Sequence, residues 1–226
     1  MYVLHYAPDN ASLIIRIVLE SANLPYTTAL VDRTIRQQDS AAYRALNPSG
    51  LIPTLETSHG PLSETAAILL WLADTHHLGP APDDPARGPY LKTLFFISNT
   101  AHADLRQLFY PDQYVPDATI PAHHAIMTVR MRRHFGLLNQ AATDHPALFT
   151  PKGILAPYVC AMMRWSVLYP RGQAHWFDLH RFPVLEAMAT AVETTAAARA
   201  VALAEGLGNT PFTAPTYARP SEGSAT

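Results

Sequence analysis

The segment from Asn47 to Asp74, NPSGLIPTLETSHGPLSETAAILLWLAD, decides the fold of this chain. It opens with the dense turn signal NPSG, and the run IPTLET (52–57) that follows has the composition of a short strand. The sequence SHG (58–60) supplies a glycine for a hairpin turn. After SET (63–65), a strongly apolar run predicts a helix. The segment therefore predicts a turn, two hairpin-connected strands and a helix.

Two features of this segment point to a ligand. Pro53 cannot donate to a β-ladder, so it must stand at the first residue of its strand or on an edge. A cis peptide bond would turn the backbone of Ile52 outward towards a ligand, although only about 5–6% of X-Pro bonds are cis. The start of the helix at Glu64 and Thr65 gathers unused N–H groups that can hold a carboxylate, while Glu64 could hold an ammonium group. A plain N-cap with an acidic first turn would also explain this helix start.

The residues before this segment complete a domain. Residues 2–6 and 26–31 read as strands, and residues 11–23 between them have apolar side chains at helical spacing. A strand, helix and strand within about thirty residues predict a βαβ unit with a right-handed crossover. A short helix is predicted near residues 41–46. The order βαβ, helix, ββα is that of a thioredoxin-like α/β domain.

Beyond residue 77 the composition changes. Four glycine and proline breakers fall within residues 78–85, and strand signals vanish after them. We therefore expect a thioredoxin-like domain (1–77), a linker (78–86), an all-α helical-bundle domain (87–210) and a loosely ordered, proline-rich tail (211–226). The predicted long helices cover residues 91–108, 122–142, 154–168 and 182–195. The apolar positions expected on the second of these are Ile126, Val129, Leu137 and Leu138.

Composition restricts the possible partners and compartment. The chain has 226 residues, 48% of them hydrophobic, which supports a substantial core, and its net charge of −2 argues against a nucleic-acid partner. Its longest apolar run, Ala66 to Ala73, is too short to span a bilayer, and no secretory signal is visible at the start. A single cysteine, Cys160, excludes an internal disulfide, so we expect a cytoplasmic protein. The adjacent histidine pairs diverge on a helix, so no metal site is expected.

The segment around Pro53 resembles the glutathione transferase family. That family's pattern N-P-x-G-x-[IV]-P-x-L corresponds to residues 47–55, and its E-[ST]-x-A-I corresponds to residues 64–68. The resemblance implies that Pro53 follows a cis bond and that Ile52 pairs with the cysteinyl backbone of glutathione. It also implies that Glu64 and Thr65 hold the γ-glutamyl end. Two further contacts with glutathione are expected, from Arg36 to the glycyl carboxylate and from Asn99, the latter across a dimer interface.

The first loop is similar to the Y-x-P-G-A-C-S junction of the bacterial beta-class members, but it departs from that pattern. Ala11 replaces the cysteine that can form a mixed disulfide with glutathione, and Asp9 and Asn10 replace Gly-Ala. Without that cysteine, glutaredoxin-like redox chemistry is not expected. Cys160 cannot substitute, because it lies within a predicted buried helix.

A thiolate at neutral pH then needs a hydrogen-bond donor and a helix N-terminus, because a free thiol ionises only near pH 8.5. Ser12 is the first candidate for the donor, Asn10 the second and Tyr6 the third. Ser12 or Asn10 could instead simply cap the helix, and Tyr6 could simply pack in the core.

The resemblance extends into the helical half. Residues 96–111 are similar to helix 4 of the beta class, and residues 158–165 to its buried helix. It implies that an acceptor pocket contains His102, Arg106, Tyr110 and Arg164. The family's S-x-x-D capping box is replaced by residues 154–157, whose side chains cannot cap.

These observations predict a glutathione transferase that activates bound glutathione as a thiolate for attack on a small hydrophobic electrophile. Glutathione would be a co-substrate, no cofactor would be tightly bound, and the protein would be a homodimer. Two alternatives stay open. One is a non-catalytic binding or interaction protein of this fold. The other is a glutathione-dependent etherase, dehalogenase or isomerase that uses the same first site.

Overall fold

The N-terminal part of the chain forms a four-stranded mixed sheet in the order β2-β1-β3-β4. The computed structural model describes residues 1–225, and Thr226, the last residue of the expected tail, lies outside the described residues. The strands are β1 (Tyr2–Tyr6), β2 (Tyr26–Leu30), β3 (Thr54–Thr57) and β4 (Gly60–Ser63). β1 pairs with β2 in parallel, whereas β3 is antiparallel to both β1 and β4. This arrangement confirms the thioredoxin-like order predicted from the sequence.

Helices complete this domain and form all of the second one. The N-terminal helices are α1 (Ser12–Ser21), α2 (Ala41–Leu46) and α3 (Thr65–His76). The later ones are α4 (Arg87–Phe96), α5 (Ala103–Phe109), α6 (Ile120–Asp144), α7 (Leu155–Leu168), α8 (Pro183–Glu193) and α9 (Ala196–Glu205). No helix within residues 1–225 combines the length and apolarity needed to cross a membrane.

Two helical features were not expected. The single helix predicted over residues 91–108 is interrupted by a π-helical turn, Ile97–His102, which separates α4 from α5. The helix α9 was missed because its alanine-rich sequence contains few large apolar residues that would mark a buried face. Gly206, in the left-handed region with φ +65°, ends α9.

The helix α7 forms the centre of the helical domain, and α1 joins it to the sheet. All residues of α7 except Val167 are buried. One face of α1 packs on the sheet and α3, and its contacts continue to α7 and α9. As expected from residues 154–157, no side chain caps the start of α7 in the described structure. A single hydrophobic core therefore runs through both domains.

The buried face of α6 differs from the predicted one. Ile126, Val129 and Leu137 are 61%, 63% and 48% exposed, respectively. Of the four expected residues only Leu138 is buried, and it shares the buried face with Met127, Met131 and Phe135. Both sets have helical spacing, so periodicity alone could not choose between them. An exposed apolar stripe is the result.

The segment from Pro211 onwards, which was expected to be loosely ordered, lies against both domains. Arg164 donates hydrogen bonds to the carbonyls of Pro211 (3.1 Å) and Thr216 (2.9 Å). Near the end of this segment, Glu222 accepts a hydrogen bond from the Tyr6 hydroxyl. Prolines lack an N–H but keep a carbonyl acceptor, so a proline-rich segment can still be held through its carbonyl groups.

Candidate active site

Glu64 stands immediately before α3 in an unusual backbone conformation. Its φ of 69° and ψ of 116° are sparsely populated for any residue except glycine, and such conformations cost about 1–3 kcal/mol each. They cluster at ligand-binding positions, where the surrounding structure holds them. Thr65, the first residue of α3, is almost buried at 9% exposure. The strand β4 and the helix α3 thus hold Glu64 at a helix N-terminus.

The loop before β3 provides the second part of the site. The Ile52–Pro53 bond is cis, which confirms the expectation from the family pattern. The ladder of β3 begins only at Thr54, so Ile52 lies outside it. The carbonyl of Leu51 accepts hydrogen bonds from the Tyr43 hydroxyl and the Asn47 amide, each at 2.7 Å. These two bonds fix the loop that carries Ile52.

The Ser12 hydroxyl is fully buried and already hydrogen-bonded within the first loop. It donates to the carbonyl of Ala7 at 3.0 Å and accepts from the N–H of Ala7 at 3.3 Å. Neither Ser12 nor Asn10 caps α1, which follows Ala11 without a side-chain cap in the described structure. In this arrangement the hydroxyl proton of Ser12 is used within the loop and is not available to a ligand.

The other two candidate donors differ in their availability. Asn10 is partly exposed, and its side-chain oxygen accepts from the N–H of Ala11 at 2.7 Å. Within residues 1–225 its amide N–H₂ has no protein acceptor. The Tyr6 ring is buried and its hydroxyl donates to Glu222. Burial and the Glu222 carboxylate both raise the pKa of Tyr6.

Asp9 connects this loop to the helical domain through a buried ion pair. It adopts a positive φ of 50°, a conformation that suits the glycine found there in the beta class. Its carboxylate accepts two hydrogen bonds from Arg164 (2.8 and 2.9 Å), one from the Trp165 indole (2.9 Å) and one from the Tyr169 hydroxyl (3.1 Å). Both charged side chains are completely buried.

Arg164 was expected in the acceptor pocket, but its guanidinium faces Asp9 and the tail carbonyls instead. With no exposed surface it cannot contact a substrate in this arrangement. Two sequence signals could have revealed the pair. One is an arginine within an otherwise apolar helix, which needs a buried counter-charge. The other is the replacement of glycine by Asp9.

His102 ends the π-helical turn and contacts two aromatic residues of α7. Its Nδ1 lies 2.9 Å from the Tyr158 hydroxyl, and its ring lies against Trp165 with centroids 5.6 Å apart. Burial, and secondarily Arg106, lower the pKa of His102 to about 4, so the imidazole is neutral at pH 7. Burial and the Glu64 carboxylate raise the pKa of Tyr158. Tyr158 therefore contacts His102 directly and lies within electrostatic range of Glu64. π-helical turns are often found at functional sites.

Arg106 lies about one turn after His102 on α5, and Tyr110 follows the end of that helix. The Arg106 guanidinium lies 5.4 Å from the centroid of the Tyr110 ring and donates to the Tyr114 hydroxyl at 2.6 Å. From the other domain, Arg33 donates to the Tyr110 hydroxyl at 3.2 Å. Arg33 was not singled out in the sequence, because no local motif distinguishes it.

The remaining two predicted contacts lie at the surface. The Arg36 side chain is 80% exposed and donates to Asp39 at 2.8 Å. Asn99 is exposed on the π-helical turn, and its side-chain oxygen accepts from the Ser98 hydroxyl at 3.1 Å. Within residues 1–225, neither makes a hydrogen bond to another predicted site residue.

Glu205, the last residue of α9, accepts a hydrogen bond from the backbone of the first loop. The sequence analysis did not identify it as a residue that supports the site. It is fully buried, and its carboxylate accepts from the N–H of Asp9 (2.9 Å) and from Arg16 (3.3 Å). Burial raises the pKa of Glu205 to about 7, although both donors act in the opposite direction. Nothing in the alanine-rich sequence of α9 marks this glutamate as buried.

Glu205 should make the stability of the protein depend on pH. Between its ordinary pKa of 4.5 and about 7, the folded protein keeps a proton that the unfolded chain has lost. The free energy of unfolding should therefore fall as the pH rises through this window, by about 3 kcal/mol in total, and level off above it. Urea denaturation of the wild type and of Glu205→Gln from pH 5 to pH 8 measures this. Parallel stability curves for the two proteins would contradict it.

The protein's own side chains offer neither a readily ionised thiol nor, in the described residues, a cluster of metal ligands. Burial raises the pKa of the Cys160 thiol, which lies within α7. No group of three or more His, Cys, Asp or Glu side chains within residues 1–225 is arranged to hold a metal ion. A reactive thiol at this site would therefore have to come from a ligand.

Comparisons with known proteins agree with the geometry. The family model of the glutathione S-transferase N-terminal domain matches residues 11–75. A glutathione S-transferase, GST-4.5, from Xanthomonas campestris pv. campestris is 32% identical over 134 residues, which cover 57% of this chain and 64% of that protein. The maleylacetoacetate isomerase maiA of Aspergillus fumigatus is 31% identical over 102 residues, or 41% of this chain and 44% of that protein. The chain thus spans less than two thirds of the length of these curated relatives.

Solved structures extend the similarity over nearly the whole chain. A glutathione transferase homologue from Sulfitobacter, solved with bound glutathione, has a TM-score of 0.74 at 22% identity, and covers 89% of this chain and 96% of its own. The beta-class glutathione S-transferase of Sphingomonas chungbukensis has a TM-score of 0.72 at 23% identity, with coverage of 90% and 98%. At these identities the structures support the fold alone. Together with the family model, they lead to one conclusion: residues 11–75 match the N-terminal domain of the glutathione S-transferases, and the chain as a whole has the glutathione transferase fold.

Proposed function

We propose that this protein is a glutathione transferase that binds glutathione as a co-substrate, holds it as a thiolate and adds it to a small electrophile. The conformation of Glu64 carries this proposal. An acidic residue held at positive φ beside a helix N-terminus can bind an ammonium group, while the helix N–H groups bind the neighbouring carboxylate. The γ-glutamyl end of glutathione presents both groups on one carbon atom. The Sulfitobacter homologue was solved with glutathione bound.

The proposal is tested directly by calorimetric titration of glutathione, together with an assay of its conjugation to 1-chloro-2,4-dinitrobenzene. Binding with turnover is the expected result. Binding without turnover would favour the non-catalytic alternative. Failure to bind glutathione would overturn the proposal.

For the thiolate, we place Asn10 ahead of Ser12 and Tyr6 as the donor. The Ser12 hydroxyl already donates to the Ala7 carbonyl, and the Tyr6 hydroxyl already donates to Glu222. The N–H groups of the Asn10 amide have no acceptor within the described residues. Asn10 also lies just before α1, whose N-terminal dipole favours a negative charge. The amide and the helix would act together on the sulfur.

Substitutions at Asn10 and Ser12 separate these two roles. Asn10→Ala should raise the pKa of bound glutathione by about one unit and lower kcat/KM at pH 6.5 about tenfold, because one hydrogen bond to the thiolate is lost. Ser12→Ala should instead lower the free energy of unfolding by about 1–3 kcal/mol, because the Ala7 N–H loses its buried partner. The pH–rate profile and urea denaturation of both variants measure these effects. A shifted thiol pKa in Ser12→Ala alone would restore Ser12 as the donor.

A glutathione-dependent isomerase is the second candidate, because the chain resembles the maleylacetoacetate isomerase maiA over 102 residues. In such a reaction glutathione adds to the substrate and leaves again, so the same first site serves both activities. The two are distinguished by thiol consumption. A transferase consumes one glutathione per turnover, whereas an isomerase changes its substrate and leaves the glutathione concentration unchanged.

We also propose that the protein is a homodimer. The exposed side chains of Ile126, Val129 and Leu137 lie on one face of α6, and such an apolar stripe is costly to leave in water. Sedimentation of the wild type and of a variant with Val129 replaced by glutamate tests this proposal. An unchanged sedimentation coefficient in the variant would indicate that this face is not the interface.

A further inference from the structure

We propose that Arg33 and Arg106 form an anion-binding pair that recognises a carboxylate on the acceptor, so that the electrophile is a small unsaturated or aromatic acid. This inference rests on the proposed transferase function and specifies its substrate class. It refines the expected hydrophobic electrophile, which would carry an anionic group at one end. The pair spans the two domains beside His102.

The two arginines contact Tyr110 from different domains. Arg33 follows β2 in the N-terminal domain, and its Nη2 donates to the Tyr110 hydroxyl at 3.2 Å. Arg106 belongs to α5 in the helical domain, and its guanidinium lies over the rings of Tyr110 and Tyr114 at 5.4 and 5.9 Å from their centroids. Tyr110 therefore keeps both guanidinium groups near one point.

Neither arginine has a carboxylate partner within residues 1–225. Arg33 donates to the Tyr110 hydroxyl and to the carbonyl of Ala225 (3.0 Å), and Arg106 donates to the Tyr114 hydroxyl. Each guanidinium has five N–H donors, so these hydrogen bonds leave donors available for a ligand. Several other arginines of the chain are paired with carboxylates, namely Arg16, Arg36, Arg44, Arg87, Arg130 and Arg164. Two guanidinium groups beside one residue, with no carboxylate partner in the described part of the chain, are an arrangement that favours an anionic ligand.

The location connects this pair to the reaction. Arg106 lies close enough to His102 to lower the pKa of the imidazole, so both belong to one electrostatic environment. His102 itself is neutral at pH 7 and cannot neutralise an anion. The planar fork of arginine suits a carboxylate, and the tyrosine rings offer apolar surface for an unsaturated or aromatic body. The acid group would thus orient the electrophilic carbon towards the sulfur.

A pair of matched ligands tests this inference by binding alone, with no reaction taking place. We would titrate 3,5-dinitrobenzoate and its neutral analogue 3,5-dinitrobenzamide into protein saturated with S-methylglutathione, which occupies the glutathione site but has no thiol. The carboxylate should bind at least about tenfold more tightly than the amide. Arg33→Gln and Arg106→Gln should each reduce this preference about tenfold or abolish it. Arg133→Gln, which alters an exposed arginine of α6 with no ion pair among residues 1–225, should preserve this preference.

Three results would overturn the inference. These are equal affinities for the acid and the amide, a preference that survives both substitutions, or weaker S-methylglutathione binding in either variant, which would assign the pair to the glycyl carboxylate of glutathione. Failure of the transferase function is recognised separately. It would appear as absent conjugation of glutathione to 1-chloro-2,4-dinitrobenzene in the wild type, with the preference for the carboxylate unchanged.

Discussion

Replacement of Arg164 by methionine is expected to lower the free energy of unfolding by about 3–5 kcal/mol. The substitution would leave the completely buried Asp9 carboxylate with two neutral donors and no counter-charge. It would also remove the donor that holds the carbonyls of Pro211 and Thr216. A buried charge without its partner is far more costly than the loss of an exposed ion pair, which is worth about 0–1 kcal/mol.

Urea denaturation followed by circular dichroism measures this change. Arg133→Met is the matched control, because Arg133 is an exposed arginine of α6, and it should change the stability by no more than about 0.5 kcal/mol. A loss below about 1 kcal/mol in Arg164→Met would show that the pair is solvated in solution.

The double variant Asp9→Leu/Arg164→Met completes a thermodynamic cycle. Because an apolar pair of similar volume often replaces a buried ion pair at little cost, the double variant should be more stable than either single variant. The recovery should be incomplete, since the Trp165 indole and the Tyr169 hydroxyl lose their acceptor. Simple additivity of the two single substitutions would mean that the side chains do not interact.

The second large effect is expected for Glu64→Ala, which should weaken glutathione binding about 10- to 150-fold. Removal of the carboxylate takes away a hydrogen bond between two charged groups, which contributes about 1.5–3 kcal/mol. Ser63, Thr65 and the backbone of α3 remain, so some affinity for the γ-glutamyl carboxylate should persist. Alanine is as strained as glutamate at this positive φ, so the backbone conformation should be equally costly in both proteins. The weaker binding should therefore come from the missing carboxylate.

Isothermal titration with glutathione measures this effect. Glu64→Gln keeps the shape and one acceptor but loses the charge, so its affinity should fall between those of the wild type and Glu64→Ala. Glu186→Ala, on α8 of the helical domain, serves as the control and should bind like the wild type. An affinity within twofold of the wild type in Glu64→Ala would contradict the assignment of Glu64 to the ammonium group.

The elements that could be predicted were those encoded in short segments. The turn, the proline before β3, the hairpin and the start of α3 lie within 28 consecutive residues, Asn47 to Asp74, and each has a local backbone preference that the sequence expresses. The same holds for the βαβ unit and for the buried helix α7. For α6, local periodicity fitted two alternative faces, and three of the four residues expected on it, Ile126, Val129 and Leu137, lie on the exposed one.

The sequence by itself determined the thioredoxin-like order of elements, the helical second domain, the positions of Pro53 and Glu64, and the absence of the beta-class cysteine. Only the tertiary structure decided which groups near the first loop are available. Asp9 meets Arg164 across 155 positions of sequence and Glu205 across 196, and Tyr6 meets Glu222 across 216. Such partners are selected by packing, because a buried polar group must find whichever acceptor or donor the fold brings within about 3 Å. For that reason the sequence could name Ser12, Asn10 and Tyr6 as candidate donors, but it could not rank them by availability. Only the folded chain shows that Ser12 and Tyr6 already donate their protons, whereas the Asn10 amide has no acceptor among the described residues.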